Sequence, residues 1–314
     1  MKYAFVFPGQ GSQYVGMGLE LYQNFKSAKD VFDSVDDALK QKLFKLMTEG
    51  SESELTLTAN AQPAIMAVSM ASVAVLEKEF GINIENKVTF VAGHSLGEYS
   101  AACATGVFSL ADTAKLLRIR GDAMQKAVPL GAGAMAAIIG LSFDDVDALI
   151  DAASNEEFPC FKANDNMEGQ VILSGYTKAV EQAVKIAPEF GAKRAVMLNV
   201  SAPFHSPLMS SAQNVMAKAF QNVDSFDAQI PLIQNVTAEP TQKKEEIIKN
   251  LTSQVTSTVR WRETMEFLDQ SGITDVIELG PSAVLTNMFK RAYKNMYAAA
   301  VHTKEDLEEL ANNL

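Results

Sequence analysis

The 314-residue chain is 47% hydrophobic and 21% charged, with a formal net charge of −11. The negative excess excludes nucleic acid or an anionic membrane as the bulk partner, while leaving room for local basic patches. The apolar content can fill a large core and the length suggests two domains; the two cysteines, Cys103 and Cys160, have no partner spacing, which excludes a disulfide framework and a thiolate metal centre and points to a reduced, cytoplasmic protein.

Tyr3 to Phe7 is an apolar run predicted as a strand, without the charged start of a secretory signal. Pro8-Gly9-Gln10-Gly11-Ser12-Gln13 follows as a glycine-rich turn into a predicted helix from Gly16 to Phe25. Such a turn can approach a ligand closely or be a simple tight turn; it lacks the Gly-Lys-Ser/Thr ending of a P-loop. Lys26 to Met47 is predicted as one partly exposed helix. Pro63 to Phe80 is predicted as a buried helix. The apolar stretch Ala61 to Leu76 is interrupted by Gln62, Pro63, Ser69 and Ser72 and is too short to span a bilayer.

A β-type run, Val88 to Ala92, then enters Gly93-His94-Ser95-Leu96-Gly97, and small helix-compatible residues follow. This is Gly-x-Ser-x-Gly between a strand and a helix, the context in which a strained turn presents a serine hydroxyl at the end of a sheet. The bland alternative is a chance match in a loop. Leu110 to Val128 is predicted as an amphipathic helix carrying Arg118 and Arg120.

The texture changes near Leu130. Strands are predicted at Ala132 to Gly140, Phe158 to Ala163, Gln170 to Leu173 and Ala192 to Leu198, with helices at Ser142 to Ala153 and Thr177 to Phe190. That order, β-α-β-β-α-β, is the ferredoxin-like pattern. Beyond it, Val200 to Pro207 is a proline-bounded loop, Met209 to Asn222 a helix, Ile230 to Asn235 a strand and Lys243 to Leu251 a helix. A helix at Trp261 to Gln270, a strand at Thr274 to Leu279, a helix at Ala283 to Lys294, a short strand and an acidic helix from Lys304 complete the chain. The expected architecture is α/β: an α/β-hydrolase-like large domain with a mostly parallel sheet, residues 1–128 and 198–314, and an inserted ferredoxin-like small domain, residues 129–197.

A serine nucleophile needs a base, and the chain has three histidines. His94 shares the strained turn with Ser95 and can hardly reach its hydroxyl. His302 lies near the tail, outside any loop signal. His205 sits in the proline-framed loop after a predicted strand, where α/β sheets present site residues; the alternative is a structural histidine satisfying loop carbonyls. No Asp or Glu stands out as a third member, so a Ser95–His205 dyad is expected. Backbone N–H groups of Leu96 and Gln10 are the expected oxyanion donors. Arg120 has two readings: a salt bridge to a nearby Asp or Glu, or a bidentate partner for an anionic substrate.

Several motifs occur in a fixed order: Phe7-Pro-Gly-Gln-Gly-Ser-Gln13, Gly93-His-Ser-Leu-Gly-Glu-Tyr99, Arg120-Gly121, Gly133-Ala-Met-Ala136, Asn164-x-Asn166, Ala202-Pro-Phe-His-Ser206 and Glu278-Leu-Gly-Pro281. Together, and over essentially the whole chain, they resemble the malonyl-CoA:acyl carrier protein transacylases of bacterial-type fatty acid synthesis. The resemblance implies a ping-pong acyltransferase with malonyl-CoA and acyl carrier protein as partners and no cofactor or metal. It implies a malonyl ester on Ser95, His205 as base and then acid, and Arg120 on the malonyl carboxylate. It also implies that the Gln254 carbonyl orients His205, that Phe204 selects malonyl over bulkier units, and that Asn164 and Asn166 wall the cleft. Carrier proteins are usually acidic, so Lys193, Arg194, Lys290, Arg291 and Lys294 are candidates for docking, with ordinary solvated faces as the alternative. A monomer is expected. A serine hydrolase and a non-catalytic carrier-binding module are the competing functional readings.

Overall fold

A computed structural model of the chain describes residues 1–200 and 202–314. Eleven strands occur among them. They are β1 (Tyr3–Phe7), β2 (Val88–Gly93), β3 (Gly133–Ile139), β4 (Cys160–Met167), β5 (Gln170–Tyr176) and β6 (Arg194–Met197), then β7 (Leu232–Ile233), β8 (Pro240–Thr241), β9 (Val259–Arg260), β10 (Asp275–Leu279) and β11 (Tyr297–Val301). They form two sheets with the chain alternating between helix and strand, a mixed α/β architecture.

The larger sheet runs β11-β10-β1-β2-β7-β8. Its pairs are parallel except β7–β8, which is antiparallel. β1 lies near its centre, and all five of its residues are buried. A strand covered on both faces reads as a continuous apolar run, and Tyr3-Ala-Phe-Val-Phe7 does so. The helix Thr58–Lys78 covers the sheet and is itself almost wholly buried, from Ala61 to Leu76 without a break. It is apolar and long enough to cross a membrane, yet 83% of that apolar window is enclosed by the fold. Its polar interruptions have work inside the core: Ser69 donates to the Leu279 carbonyl at 2.8 Å, tying helix to β10.

The smaller sheet runs β6-β3-β5-β4-β9. β3 pairs antiparallel with β5 and β6, and β4 antiparallel with β5. The helices Val146–Ala153 and Thr177–Ile186 cover one face around a separate apolar cluster that includes Ile138, Leu149, Val171, Leu173 and Val180. The fifth strand, β9, joins β4 in parallel and comes from well beyond residue 197. Asn164 pairs with Val259 there, so this short ladder stitches the two sheets' territories together beside the Asn164-x-Asn166 stretch.

Several element boundaries differ from expectation for local reasons. The single helix expected from Lys26 to Met47 is two, Lys26–Leu39 and Leu43–Glu49. Lys40 turns left-handed at φ 51° and ends the first. The helix expected from Ser142 begins at Val146, because Ser142 is spent on a turn, accepting from Asp145 N at 3.1 Å. The Thr177 helix gives way at Ala187 to a 3₁₀ turn ending at Phe190, where Pro188 has no N–H to continue the α-helical ladder.

Candidate active site

The carboxyl ends of β1 and β2 lie side by side, with Phe7 opposite Gly93. β2 stops at Gly93, and the helix Leu96–Ala104 starts two residues after His94. Ser95 takes φ 55° and ψ −110°, a conformation that costs a non-glycine residue about 1–3 kcal/mol. The surroundings impose it. A Cβ on Gly93 would lie 2.0 Å from the Gly97 carbonyl carbon, and one on Gly97 would lie 2.1 Å from the Phe7 oxygen. Only glycine lets strand, turn and helix approach this closely. His94 N donates to the Phe7 carbonyl at 3.0 Å and Ser95 N to Asn235 Oδ1 at 2.8 Å.

Ser95 Oγ faces His205 Nε2 at 2.7 Å. His205 also has a positive φ, 55°. Its Nδ1 lies 2.8 Å from the Gln254 carbonyl oxygen. That oxygen can only accept, so Nδ1 carries the ring proton and Nε2 is the free acceptor. The tautomer is therefore the one that can take a proton from Ser95. No carboxylate supplies this orientation; a backbone carbonyl does. Burial, and next the positive charge of Arg120, hold the imidazole down to about 3, so it is neutral at physiological pH.

Arg120 is 1% exposed. Its NH2 group donates to Ser95 Oγ at 3.1 Å and Gln254 Oε1 at 2.8 Å, and NH1 donates to Gln62 Oε1 at 2.9 Å. Its Cζ lies over the Tyr99 ring, 5.4 Å from the centroid. Among the described residues these acceptors are all neutral, and Nε has none. The salt-bridge reading of Arg120 is thus overturned: a buried cation stands against the serine without a contacting counter-ion. Its place depends on Gly121. A Cβ there would lie 2.6 Å from Ala59 Cα, so the helix Leu110–Lys126 crosses the start of Thr58–Lys78 at backbone contact and Arg120 meets Gln62.

These groups open on a cavity of about 320 Å³. Gln10, Leu96 and Gln62 line it, with an apolar wall that includes Met124, Met135, Ile172 and Phe204. The Gly9–Gln10 turn lies against the nucleophile turn: a Cβ on Gly9 would be 2.8 Å from the His94 oxygen. Leu96 is the first residue of its helix, where N–H groups lack intrahelical partners. Asn164 and Asn166 reach the cavity from β4. His94 Nε2 lies 2.8 Å from Asn166 Oδ1 and 3.5 Å from Asn164 Nδ2, so the two asparagines hold the His94 ring. His302 is elsewhere, beside Asp306 at the start of the final helix.

The five basic docking candidates do not line this cavity. Lys193 and Arg194 are exposed at β6, and Lys290, Arg291 and Lys294 at the end of the helix Val284–Ala292. Arg291 borders a separate groove of about 480 Å³ that also carries Glu168, Glu266 and Arg262, so its charge is locally diluted.

Sequence reasoning missed three participants. Gln62 was visible as a polar residue inside an otherwise apolar helix. Asn235 and Glu98 gave no separate signal, although Glu98 lies within the nucleophile motif. Glu98 is fully buried and pushed up to about 8, chiefly by desolvation.

Residues 4–311 match the family described as acyl transferase domain. The malonyl CoA-acyl carrier protein transacylase of Bacillus subtilis (strain 168) is 44% identical over 309 residues, 98% of this chain and 95% of that protein. The chain belongs to the malonyl CoA-acyl carrier protein transacylases. A transacylase of the same name from Staphylococcus aureus (strain MRSA252) is 36% identical over 98% of this chain and 97% of its own. Among solved structures, an acyl-carrier-protein-S-malonyltransferase from Bartonella henselae superimposes with a TM-score of 0.97 at 52% identity, covering 100% of this chain and 99% of that one. A malonyl-transacylase in complex with a type II PKS acyl-carrier protein does so with a TM-score of 0.95 at 37% identity, covering 100% of both chains. As a member of this transacylase family, the chain is an acyltransferase, and the Ser95 cavity is its candidate active site.

Proposed function

We propose that this chain transfers a malonyl group from malonyl-CoA to the phosphopantetheine thiol of acyl carrier protein, through an ester on Ser95, for fatty acid biosynthesis. The observation that carries the reading is Ser95 Oγ held between a neutral imidazole nitrogen at 2.7 Å and a buried guanidinium at 3.1 Å that has no contacting carboxylate among the described residues.

His205 Nε2 takes the Ser95 proton as Oγ attacks the thioester carbonyl carbon. The carbonyl oxygen becomes an oxyanion facing the N–H groups of Leu96 and Gln10. When the C–S bond breaks, the proton on Nε2 passes to the coenzyme A sulfur, leaving the malonyl ester. The carrier thiol then enters, gives its proton to Nε2 and attacks the ester. The proton returns to Ser95 Oγ as the C–O bond breaks. Arg120 holds the distal carboxylate throughout, while Phe204 limits bulk beside the acyl group. Asn164 and Asn166 flank the path of the pantetheine arm. Intact-mass measurement tests this: malonyl-CoA adds one malonyl group, carrier protein removes it, and Ser95→Ala takes up none. Wild-type protein that gains no adduct, or that loses it to water as fast as to carrier protein, overturns the proposal.

We read the larger sheet, with residues 1–128 and 198–314, as α/β-hydrolase-like, and residues 129–197 as a ferredoxin-like insert. The β6-β3-β5-β4 order and its β-α-β-β-α-β connection support the second reading. Two free cysteines suit a reducing cytoplasm, and a charge of −11 suits a monomer. Lys290, Arg291 and Lys294, with Lys193 and Arg194, are read as carrier-docking residues on their exposure and charge.

A further inference from the structure

Glu98 is a buried carboxyl that the acyl-transfer steps do not use. It is the third residue of the helix Leu96–Ala104, directly behind the nucleophile. Its Oε2 atom accepts from Gln254 Nε2 at 2.6 Å and from Asn235 N at 3.2 Å. Oε1 has no partner among the described residues.

The two groups that Oε2 holds are the supports of the site. Asn235 receives the Ser95 N–H and donates through Nδ2 to the Gly93 carbonyl at 2.6 Å. The Gln254 main-chain oxygen faces His205 and its side-chain oxygen faces Arg120. A side-chain amide has two orientations that differ only by exchanging O and N. Gln254 Nε2 faces three oxygens: Ser95 O at 2.9 Å, Glu98 Oε2 and Asn235 Oδ1 at 3.3 Å. The reverse orientation would set its N–H against the Arg120 N–H and its oxygen against the Glu98 oxygen.

We infer that Glu98 is a positioning residue for acyl-group selection: its Oε2 acceptor fixes the Gln254 amide with its oxygen toward Arg120, which aims the guanidinium into the cavity. This rests on the reading of Arg120 as the partner of the malonyl carboxylate. The arrangement places one neutral amide between a carboxyl and a guanidinium. A carboxylate in direct contact would compete with the substrate for Arg120; an interposed amide steers the guanidinium and leaves its charge for the acyl group. Burial raises Glu98 to about 8 and so keeps it protonated at neutral pH; two N–H donors face Oε2, so the proton belongs on Oε1 and Oε2 remains an uncharged acceptor. Glutamine can reproduce that acceptor, and methionine, similar in size, cannot.

The test compares kcat/KM for malonyl-CoA and acetyl-CoA with the same carrier protein. Arg120→Ala comes first: an unchanged malonyl-to-acetyl ratio removes the carboxylate reading itself. With that ratio responsive, Glu98→Met is expected to lower it on the order of tenfold, mainly through the KM for malonyl-CoA. Glu98→Gln restores it, and Glu98→Met in the Arg120→Ala background lowers it no further. Loss of stability alone would reduce both substrates together and leave the ratio unmoved. An unmoved ratio in folded Glu98→Met, or a Glu98→Gln ratio as low as that of Glu98→Met, overturns the inference. Should Glu98→Met not fold, the folded Glu98→Gln protein decides, because the inference requires its ratio to match wild type.

Discussion

Replacing Arg120 with alanine separates the carboxylate reading from every other feature of the site. The guanidinium is 1% exposed and, among the described residues, its hydrogen-bond acceptors are all neutral oxygens, so its charge is free to meet a substrate anion. Removing one partner of a buried charge pair costs about 3–5 kcal/mol. Ser95, beside it in the cavity, is only partly buried, so water can reach a stranded malonyl carboxylate and the low end applies. At about 1.4 kcal/mol per factor of ten, ~3 kcal/mol is on the order of a hundredfold in malonyl kcat/KM. Acetyl-CoA has no carboxylate to lose. Both substrates lose the 3.1 Å contact between Arg120 and Ser95 Oγ, and that loss cancels in their ratio.

The same substitution has a second signature. The Arg120 charge is one of the causes that depress His205, after burial. Without it the imidazole becomes more basic. The base must be neutral to act, so the acid limb of the kcat/KM profile moves to higher pH. Arg118 is the control on the same helix: it donates to Asn60 Oδ1 at 2.9 Å and to Gln41, away from the cavity. Steady-state transfer from malonyl-CoA and acetyl-CoA, measured across pH for wild type, Arg120→Ala and Arg118→Ala, makes the comparison. A malonyl-to-acetyl ratio in Arg120→Ala within about threefold of wild type would refute the reasoning, whatever the absolute rates.

Gly121→Ala puts a Cβ 2.6 Å from Ala59 Cα; overpacking of this kind costs about 1–3 kcal/mol, so a thermal melt should fall and malonyl transfer should fall with it as Arg120 is displaced. Glu278 is buried beneath the helix Val284–Ala292, accepts from Thr286 N at 2.7 Å, and is raised from the ordinary 4.5 to about 7. Between those values the folded chain holds a proton that the unfolded chain has released, so Glu278 makes stability fall as pH rises through that window. Glu278→Gln should flatten that slope in melts between about pH 5 and 8, and an unchanged slope would count against it. Charge reversal of Lys290 and Arg291 should raise the KM for carrier protein and spare malonyl-CoA; equal effects on both substrates would discard that docking face.

What could be read from the chain was whatever local sequence alone determines. Gly93-x-Ser95-x-Gly97 was legible because the close approach of strand, turn and helix admits no side chain at either glycine, and the distances of 2.0 and 2.1 Å give the reason. The β1 and β10 strands were legible because they are buried on both faces. The Lys26–Met47 break was not, since Lys40 adopts φ 51° without being glycine. Nor was β9, a two-residue strand whose pairing with β4 is set by tertiary contact rather than by its own pattern. The partners of Arg120 were hidden for the same reason: Gln62 is 58 residues away and Gln254 is 134. Composition favoured a carboxylate partner for that arginine, and the fold supplied amides.

The missing triad acid and the unneutralised arginine are two sides of one arrangement. His205 and Arg120 both contact Ser95 Oγ, so a carboxylate placed to orient His205 would stand close to the guanidinium. It would pair with Arg120 and cancel the charge a malonyl group needs. A backbone carbonyl from Gln254 fixes the same imidazole tautomer with no net charge. Glu98, the acidic side chain that Gln254 contacts, is separated from Arg120 by the side-chain amide of that same residue. Gln254 thus orients the base with its main chain and gives the arginine a neutral acceptor with its side chain. Replacing Gln254 by glutamate should leave the carbonyl in place while bringing a carboxylate onto Arg120. Malonyl transfer is expected to fall far more than acetyl transfer, and an equal fall in both would separate the two roles assigned to this residue.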